Sequence, residues 1–248
     1  MYKVICFYWQ GDRWQETEGA SIREDMDPSF RRHLLRVGKA EKSLVERYVN
    51  NLFKGVTRHS EGKEFQFICF TNEMLDVDKS IRLQTFPMVS KKGVIPRMYM
   101  FSEEAGLFGS QVLCLDLDVV ITGSLKDIMS YEGLFCTRRG FAGPDKGKLD
   151  GDIMSFKAGP ETEDVFWKPF IKNVKNAERV TQGRERFWVR RVAGEIAEAF
   201  DEVTPNQILS YKSNVRRRGL PSNARIVSCH GHPRPHQINE PWIKKHWK

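Results

Sequence analysis

The chain has 248 residues, a formal net charge of +8 and 40% hydrophobic residues, among them 16 Phe and 6 Trp. That length suits one large domain or two small ones, and this apolar content excludes global disorder. No apolar run approaches the ~20 residues needed to span a bilayer. The start "MYKVICFYW" carries one lysine and too short an apolar stretch for a signal peptide, so a cytoplasmic protein is expected.

In chain order, Lys3–Trp9 reads as a first strand. A polar, charged segment from Gln10 to Lys42 follows, read either as a lid or as a mobile surface loop. Ser43–His59 is a helix, with Leu44, Tyr48, Leu52 and Val56 on one face and Ser43 and Glu46 as a capping box. Glu64–Asn72 and Ser80–Phe86 are strands. The stretch "PRMYMFSEEAGLF" opens on Pro96 and reads as helical. "QVLCLDLDVVITGSL" (Gln111–Leu125) is a buried apolar strand that carries Asp116 and Asp118. A short helix "SLKDIMSY" and the strands "GLFCTR" and "GDIMSFKAG" come next. "TEDVFWKPFIKNV" is a helix that Pro169 kinks or divides, and "ERFWVRRVAGEIAEAF" is one long helix. "QILSYK" and "ARIVSCHG" close the chain as strands. Strands alternating with helices imply an α/β fold with a mainly parallel sheet, as a single domain over residues 1–248.

The five cysteines are scattered, form no C-x-x-C pair and are expected as buried free thiols. Basic residues gather in "RRGF", "GRERFWVRR" and "NVRRRG". Solvated faces, a polyanionic partner, an anionic membrane surface and a phosphate-bearing substrate all fit them. No nucleic-acid-binding signature is present, so no nucleic-acid partner is expected.

In an extended strand residues i and i+2 point the same way, which would set Asp116 and Asp118 together. Ionised carboxylates are too costly to bury without charged partners. At the C-terminal end of a parallel strand they would face the crevice where α/β proteins bind ligands. Two hard oxygen donors there suit Mn²⁺ or Mg²⁺, which also takes phosphate oxygens. The bland reading is an Asp-x-Asp that ends a strand and caps a turn. The second constellation is "CHGHPRPHQI" (Cys229–Ile238), which holds three of the six histidines: His230, His232 and His236. His230 follows an apolar strand and can add a nitrogen ligand, while Arg234 offers a fork of donors to phosphate.

"VLCLDLDVVITGSL", "DGDIMSFKAG" and "HGHPRPH", in that order, resemble the family-eight glycosyltransferases, glycogenin-like and bacterial lipopolysaccharide enzymes of the GT-A fold. The resemblance implies a Rossmann-like sheet, a nucleotide diphosphate sugar donor and a carbohydrate or lipid-linked acceptor. It further implies retention at the anomeric carbon and Mn²⁺ (or Mg²⁺) on Asp116, Asp118 and His230. Arg234, where the family has lysine, would contact the diphosphate. Arg97 in "IPRMYMF" would reach the donor, and Trp9, Gln10 and Gly11 would hold base and ribose. Asp150 falls at the family's Asn position, with Asp152 beside it, where donor sugar and acceptor meet. The family's Asp-Gln-Asp block has only "GRERFWVRR" here, with Glu185 in part of that role, and the Lys-Pro-Trp end reads Arg-Pro-His. Asp150, Asp152 and Glu185 are the candidates for acceptor positioning; no separate nucleophile is evident.

Two other readings compete. A haloacid dehalogenase-type phosphohydrolase also uses a strand followed by D-x-D, with Asp116 as nucleophile. It needs that motif near the chain start and Gly-Thr after the second aspartate, whereas here Val119 follows Asp118. A non-catalytic nucleotide-sugar-binding protein on the same fold is the other. The tail "PWIKKHWK" (residues 241–248) reads either as a segment packed on the domain or as a weak contact with an anionic membrane surface, at about 1 kcal/mol per basic residue.

Overall fold

The computed structural model describes residues 1–9 and 42–248. Gln10, Gly11 and nearly all of the Gln10–Lys42 segment lie outside the described residues. The architecture is the expected one: a mainly parallel sheet flanked by helices in a single domain. Seven strands run in the order β3-β2-β1-β4-β7-β6-β8. They are β1 (Tyr2–Tyr8), β2 (Phe65–Thr71), β3 (Ile81–Gln84), β4 (Gln111–Leu115), β6 (Phe135–Arg139), β7 (Leu149–Lys157) and β8 (Ala197–Ala199). β1, β2, β3 and β4 are parallel, and β7 runs antiparallel to both β4 and β6.

Both faces of this sheet are covered, which explains its near-continuous apolar strands. Ile5, Phe7 and Trp9 enter one core with Met98, Phe101 and Phe166. Val4, Cys6 and Tyr8 enter the other, where helix α1 (Lys42–His59) contributes Val45, Val49, Leu52 and Val56. β4 divides likewise, with Val112 and Cys114 on the first side and Leu113 and Leu115 on the second. All five cysteines are buried and free.

The Gln111–Leu125 run is not one strand. β4 ends at Leu115, and β5 (Val119–Ile121) belongs to a second, three-stranded sheet with β10 (Ile226–Ser228) and β9 (Ile208–Ser210). Its apolar residues are continuous because both sheets are buried, so hydropathy hides the break at Asp116–Asp118. α1 lies close against β5: a Cβ on Gly55 would stand 3.2 Å from Ile121 Cβ.

Further departures have local causes. "IPRMYMF" forms a 3₁₀ helix, Ile95–Phe101, rather than an α-helix. The helical stretch around Pro169 is broken into a turn at Pro160–Thr162, a π-helical turn at Glu163–Trp167 and α3 (Lys168–Lys172), following the short α2 (Lys126–Met129). Pro169 falls at the start of α3, where its missing N–H costs no bond. α4 (Val174–Thr181), absent from the sequence reading, starts where the Asn173 side chain accepts from Asn176 N–H at 3.0 Å. The long helix expected through Phe200 stops as α5 (Glu185–Val192). Gly194 takes φ +51°, and Ala197–Ala199 pairs with β6 before a short α6 (Phe200–Val203).

Among the described residues no helix is long and apolar enough to cross a membrane. The C-terminal residues form α7 (Pro241–His246), packed on the domain. Ile243 is buried, and Trp242 and Trp247 pack with it on the second sheet. Trp247 lies edge-on to Tyr48 at 5.0 Å, with Arg47 over its ring. The aromatic side chains that a membrane contact would use are thus turned inward, and that contact is not supported.

Candidate active site

At the C-terminal edge of β4 a cleft of about 800 Å³ opens, lined by Asp116, Asp118, Asp150, Asp152, Glu185, His230 and Arg234 among others. The three sequence blocks singled out above therefore meet across more than a hundred residues of chain. Backbone bonds join them: Asp116 N–H donates to the Asp152 carbonyl at 2.9 Å, and Cys229 N–H donates to the Asp118 carbonyl at 3.0 Å.

Asp116 and Asp118 flank the crossing between the two sheets, not an extended strand, and their carboxylates meet different partners. Arg97 Nη1 donates to Asp116 Oδ1 at 2.6 Å and to Glu185 Oε1 at 2.8 Å, and its Nη2 reaches Cys114 Sγ at 3.1 Å. Arg97 is 1% exposed; burial alone would lower its pKa, but Asp116, Cys114 and Glu185 hold it well above the ordinary value. It stands behind the carboxylates rather than on the cleft wall. Asp118 Oδ2 is bonded by Arg234 Nη1.

Asp150 and Asp152 lie at the start of β7, two residues apart in an extended strand, and both face Arg138 of β6. Arg138 Nη2 donates to Asp152 Oδ2 at 2.7 Å and its Nε lies 2.7 Å from Oδ1, while Asp150 Oδ2 is 3.4 Å from Nη2. Ser228 Oγ of β10 donates to Asp152 Oδ2 at 2.9 Å. Burial and then the neighbouring Asp152 push the Asp150 carboxyl up. Asp152 is held low: burial opposes ionisation, but the Arg138 charge and the hydrogen bonds from Arg138 and Ser228 outweigh it. Gly151 between them is required by packing, since a Cβ there would stand 2.8 Å from Glu185 Cγ.

His230 follows β10, and its Nε2 shares a hydrogen bond with Ser210 Oγ at 3.1 Å. Burial, and then Lys212, hold its pKa below the ordinary value, which favours a neutral imidazole. The other two histidines of the cluster point elsewhere. His232 Nδ1 meets Gln237 Oε1 at 3.2 Å, and His236 Nδ1 meets Tyr48 OH on α1 at 2.6 Å. Trp9 is packed in the core edge-on to Phe7 and Phe86, away from the cleft lining.

Asp118 Oδ1 is buried and without a hydrogen-bond partner, and an oxygen that accepts no N–H suits a hard divalent cation. The donor types fit Mn²⁺ or Mg²⁺. Their arrangement is not that of a gathered site: among the described residues no group of three or more His, Cys, Asp or Glu is disposed to hold a metal ion. The reason is visible in the pairing, with one guanidinium on each aspartate of the motif.

Arg138, Phe141 and Ser228 were missed as site residues. "RRGF" signalled only charge; a register shift between Thr137 and Arg139 against β7 marks the place where Arg138 joins the cleft wall while Arg139 pairs with Glu202 of α6.

No family model and no curated protein sequence matches this chain. Solved structures do share its fold. The glycosyltransferase GlyE of Streptococcus pneumoniae TIGR4 is 12% identical with a TM-score of 0.57, over 95% of this chain and 56% of GlyE. The galactosyltransferase LgtC, solved with donor and acceptor sugar analogues, is 11% identical with a TM-score of 0.58, over 94% of this chain and 88% of LgtC. The bifunctional glycosyltransferase WbbM is 9% identical with a TM-score of 0.54, over 98% of this chain and 50% of WbbM. The chain thus spans little more than half of GlyE and most of LgtC.

Proposed function

We propose that the chain is a glycosyltransferase that moves a sugar from a nucleotide diphosphate sugar to a carbohydrate or lipid-linked acceptor, with retention. The observation that carries this is the convergence of Asp116, Asp118, Asp150, His230 and Arg234 on one cleft, in a fold shared with glycosyltransferases. The phosphohydrolase alternative is not favoured, because the solved structures compared above are glycosyltransferases.

Asp116, Asp118 and His230 would hold Mn²⁺ or Mg²⁺, which supplies Lewis-acid charge and a template for the diphosphate. The chain's own residues do the rest. Arg97 fixes Asp116 from behind through a buried guanidinium. Arg234 neutralises Asp118 and offers donors to the diphosphate, stabilising the leaving group as charge develops. Asp150 faces the acceptor side of the cleft, and Glu185 closes the wall through Arg97.

A thermal-shift panel of nucleotide sugars, with and without Mn²⁺, tests the reading. One nucleotide class should raise the melting temperature in a metal-dependent way, because a ligand that binds only the folded state stabilises it. Asp116→Asn with Asp118→Asn should abolish the response; an unchanged response refutes the metal assignment. Slow nucleotide-sugar hydrolysis without acceptor separates a catalyst from a binding protein.

A further inference from the structure

We propose that Arg138 is a positioning residue that gives the two aspartates of Asp150-Gly151-Asp152 different tasks, tying up Asp152 as an anchor and leaving Asp150 as the carboxylate presented to the acceptor. The inference rests on the glycosyltransferase reading and adds to it a residue and a division of labour.

The assignment follows from counting oxygen partners. Asp152 has Arg138 on both oxygens, at 2.7 Å each, and Ser228 Oγ on Oδ2. Its Oδ1 is ion-paired with Arg138 Nε without accepting a hydrogen bond, and with the side chain only 9% exposed it is out of a substrate's reach. Asp150 Oδ1 accepts only from the neighbouring Gly151 N–H, and Oδ2 stands at a loose 3.4 Å from Arg138. Its side chain is more exposed, at 14%, and it lines the same cleft. A guanidinium can do this because its planar fork spans both oxygens of one carboxylate and still carries charge toward a second.

This cluster also connects to the second sheet. Ser228, bonded to Asp152, is the last residue of β10, two before His230. The Arg138 guanidinium lies over the Phe141 ring at 3.8 Å. That ring is nearly parallel to the His230 imidazole, at 11° with centroids 6.0 Å apart. One buried cation thereby sets Asp150 directly and His230 through Phe141 and Ser228. A purely stabilising role would not need a charge, since well-packed apolar groups replace buried ion pairs without loss of stability in many proteins.

The test is the double variant Arg138→Gln/Asp152→Asn, which removes the more deeply buried carboxylate together with its cation and leaves only the more exposed Asp150 without the guanidinium, together with Arg138→Lys. Donor binding is read by the nucleotide-sugar thermal shift with Mn²⁺, and turnover by kcat and KM for each substrate. The double variant should keep the donor shift, with donor KM within about threefold, and lose about a hundredfold in kcat, the usual cost of misplacing a reacting group. Arg138→Lys should recover to within about tenfold of wild type, because it keeps the charge without the fork. Wild-type turnover in the double variant, or equal loss of donor shift and kcat, overturns the proposal. A crystal structure of the double variant in which Asp150 and His230 keep their places overturns it as well. That readout stands even if wild type answers to no nucleotide sugar, a failure that would fall on the function instead.

Discussion

Two aspartate pairs with identical spacing line the cleft side by side, and they are built differently. Asp150 and Asp152 sit in one extended strand, point the same way and share a single guanidinium, Arg138. Asp116 and Asp118 span a crossing between two sheets and go to separate guanidiniums, Arg97 and Arg234. The middle residues differ accordingly. Leu117 helps fill an apolar core, whereas Gly151 keeps β7 open to Glu185. The lesson is that i, i+2 alternation orients carboxylates only where the backbone stays extended. Where it breaks, the same motif distributes its charges, and each charge can be altered independently.

The largest effect should come from the deepest cation. Arg97→Ala leaves Asp116 and Glu185 without their buried partner, and removing one side of a buried ion pair costs about 3–5 kcal/mol. Denaturant unfolding should show this loss; a change below about 1 kcal/mol would mean that the Arg97 ion pairs contribute no more than a surface contact. Asp118→Asn comes next. The Arg234–Asp118 pair is largely buried, at 14% and 11% exposed, but the asparagine keeps an oxygen for Arg234 to bond, so the stability loss should be smaller than for Arg97→Ala. Turnover should instead fall by about a hundredfold, and the nucleotide-sugar thermal shift should lose its dependence on Mn²⁺. Equal stability losses in the two variants would erase the contrast between the two ends of the motif.

The second pair is separable by pH. Burial and Asp152 raise the Asp150 carboxyl, while Arg138, the Gly151 N–H and Arg186 pull against them. A raised carboxyl takes up its proton at a higher pH than an ordinary one. If ionised Asp150 serves the acceptor, activity should fall on acidification earlier than an unperturbed Asp, with a pKa of about 3.9, would allow. Asp152 behaves oppositely. Its depressed pKa contributes stability that is present above the unfolded value and lost only as pH falls through the folded one. The pH–rate profile of Asp150→Asn checks the assignment, since its acid limb should disappear; an unchanged limb transfers the titration to another group.

Much of this contrast was legible in the chain and its cause was not. The strands and α1 follow from apolar periodicity, and Asp116, Asp118 and His230 could be placed at strand ends facing one crevice, with Asp150, Asp152 and Arg234 joining them only through the family resemblance. Hydropathy could not reveal the change of sheet at Asp116, because Leu115 and Val119 are equally buried on either side of it. Nor could it separate Arg138 from Arg139, since adjacent arginines differ only through the register shift against β7. The remainder of the helix expected beyond Val192, as far as Phe200, failed at Gly194, whose positive φ ends the helical run and frees Ala197–Ala199 to pair with β6.

The smallest predicted effect is the most discriminating for the shared-guanidinium pair. Ser228→Ala removes one O–H donor from Asp152 Oδ2 while both Arg138 contacts remain. A carboxylate still ion-paired with Arg138 and hydrogen-bonded on Oδ2 is not orphaned, so the cost should be about 1 kcal/mol, the net value of one hydrogen bond. Chemical denaturation measures it. A loss several times larger would mean that Ser228, rather than Arg138, carries the anchor, and the asymmetry between Asp152 and Asp150 would then originate in β10. A loss within error would place the whole of that anchor on Arg138, and would make the guanidinium the sole element that distinguishes this pair from the one at the sheet crossing.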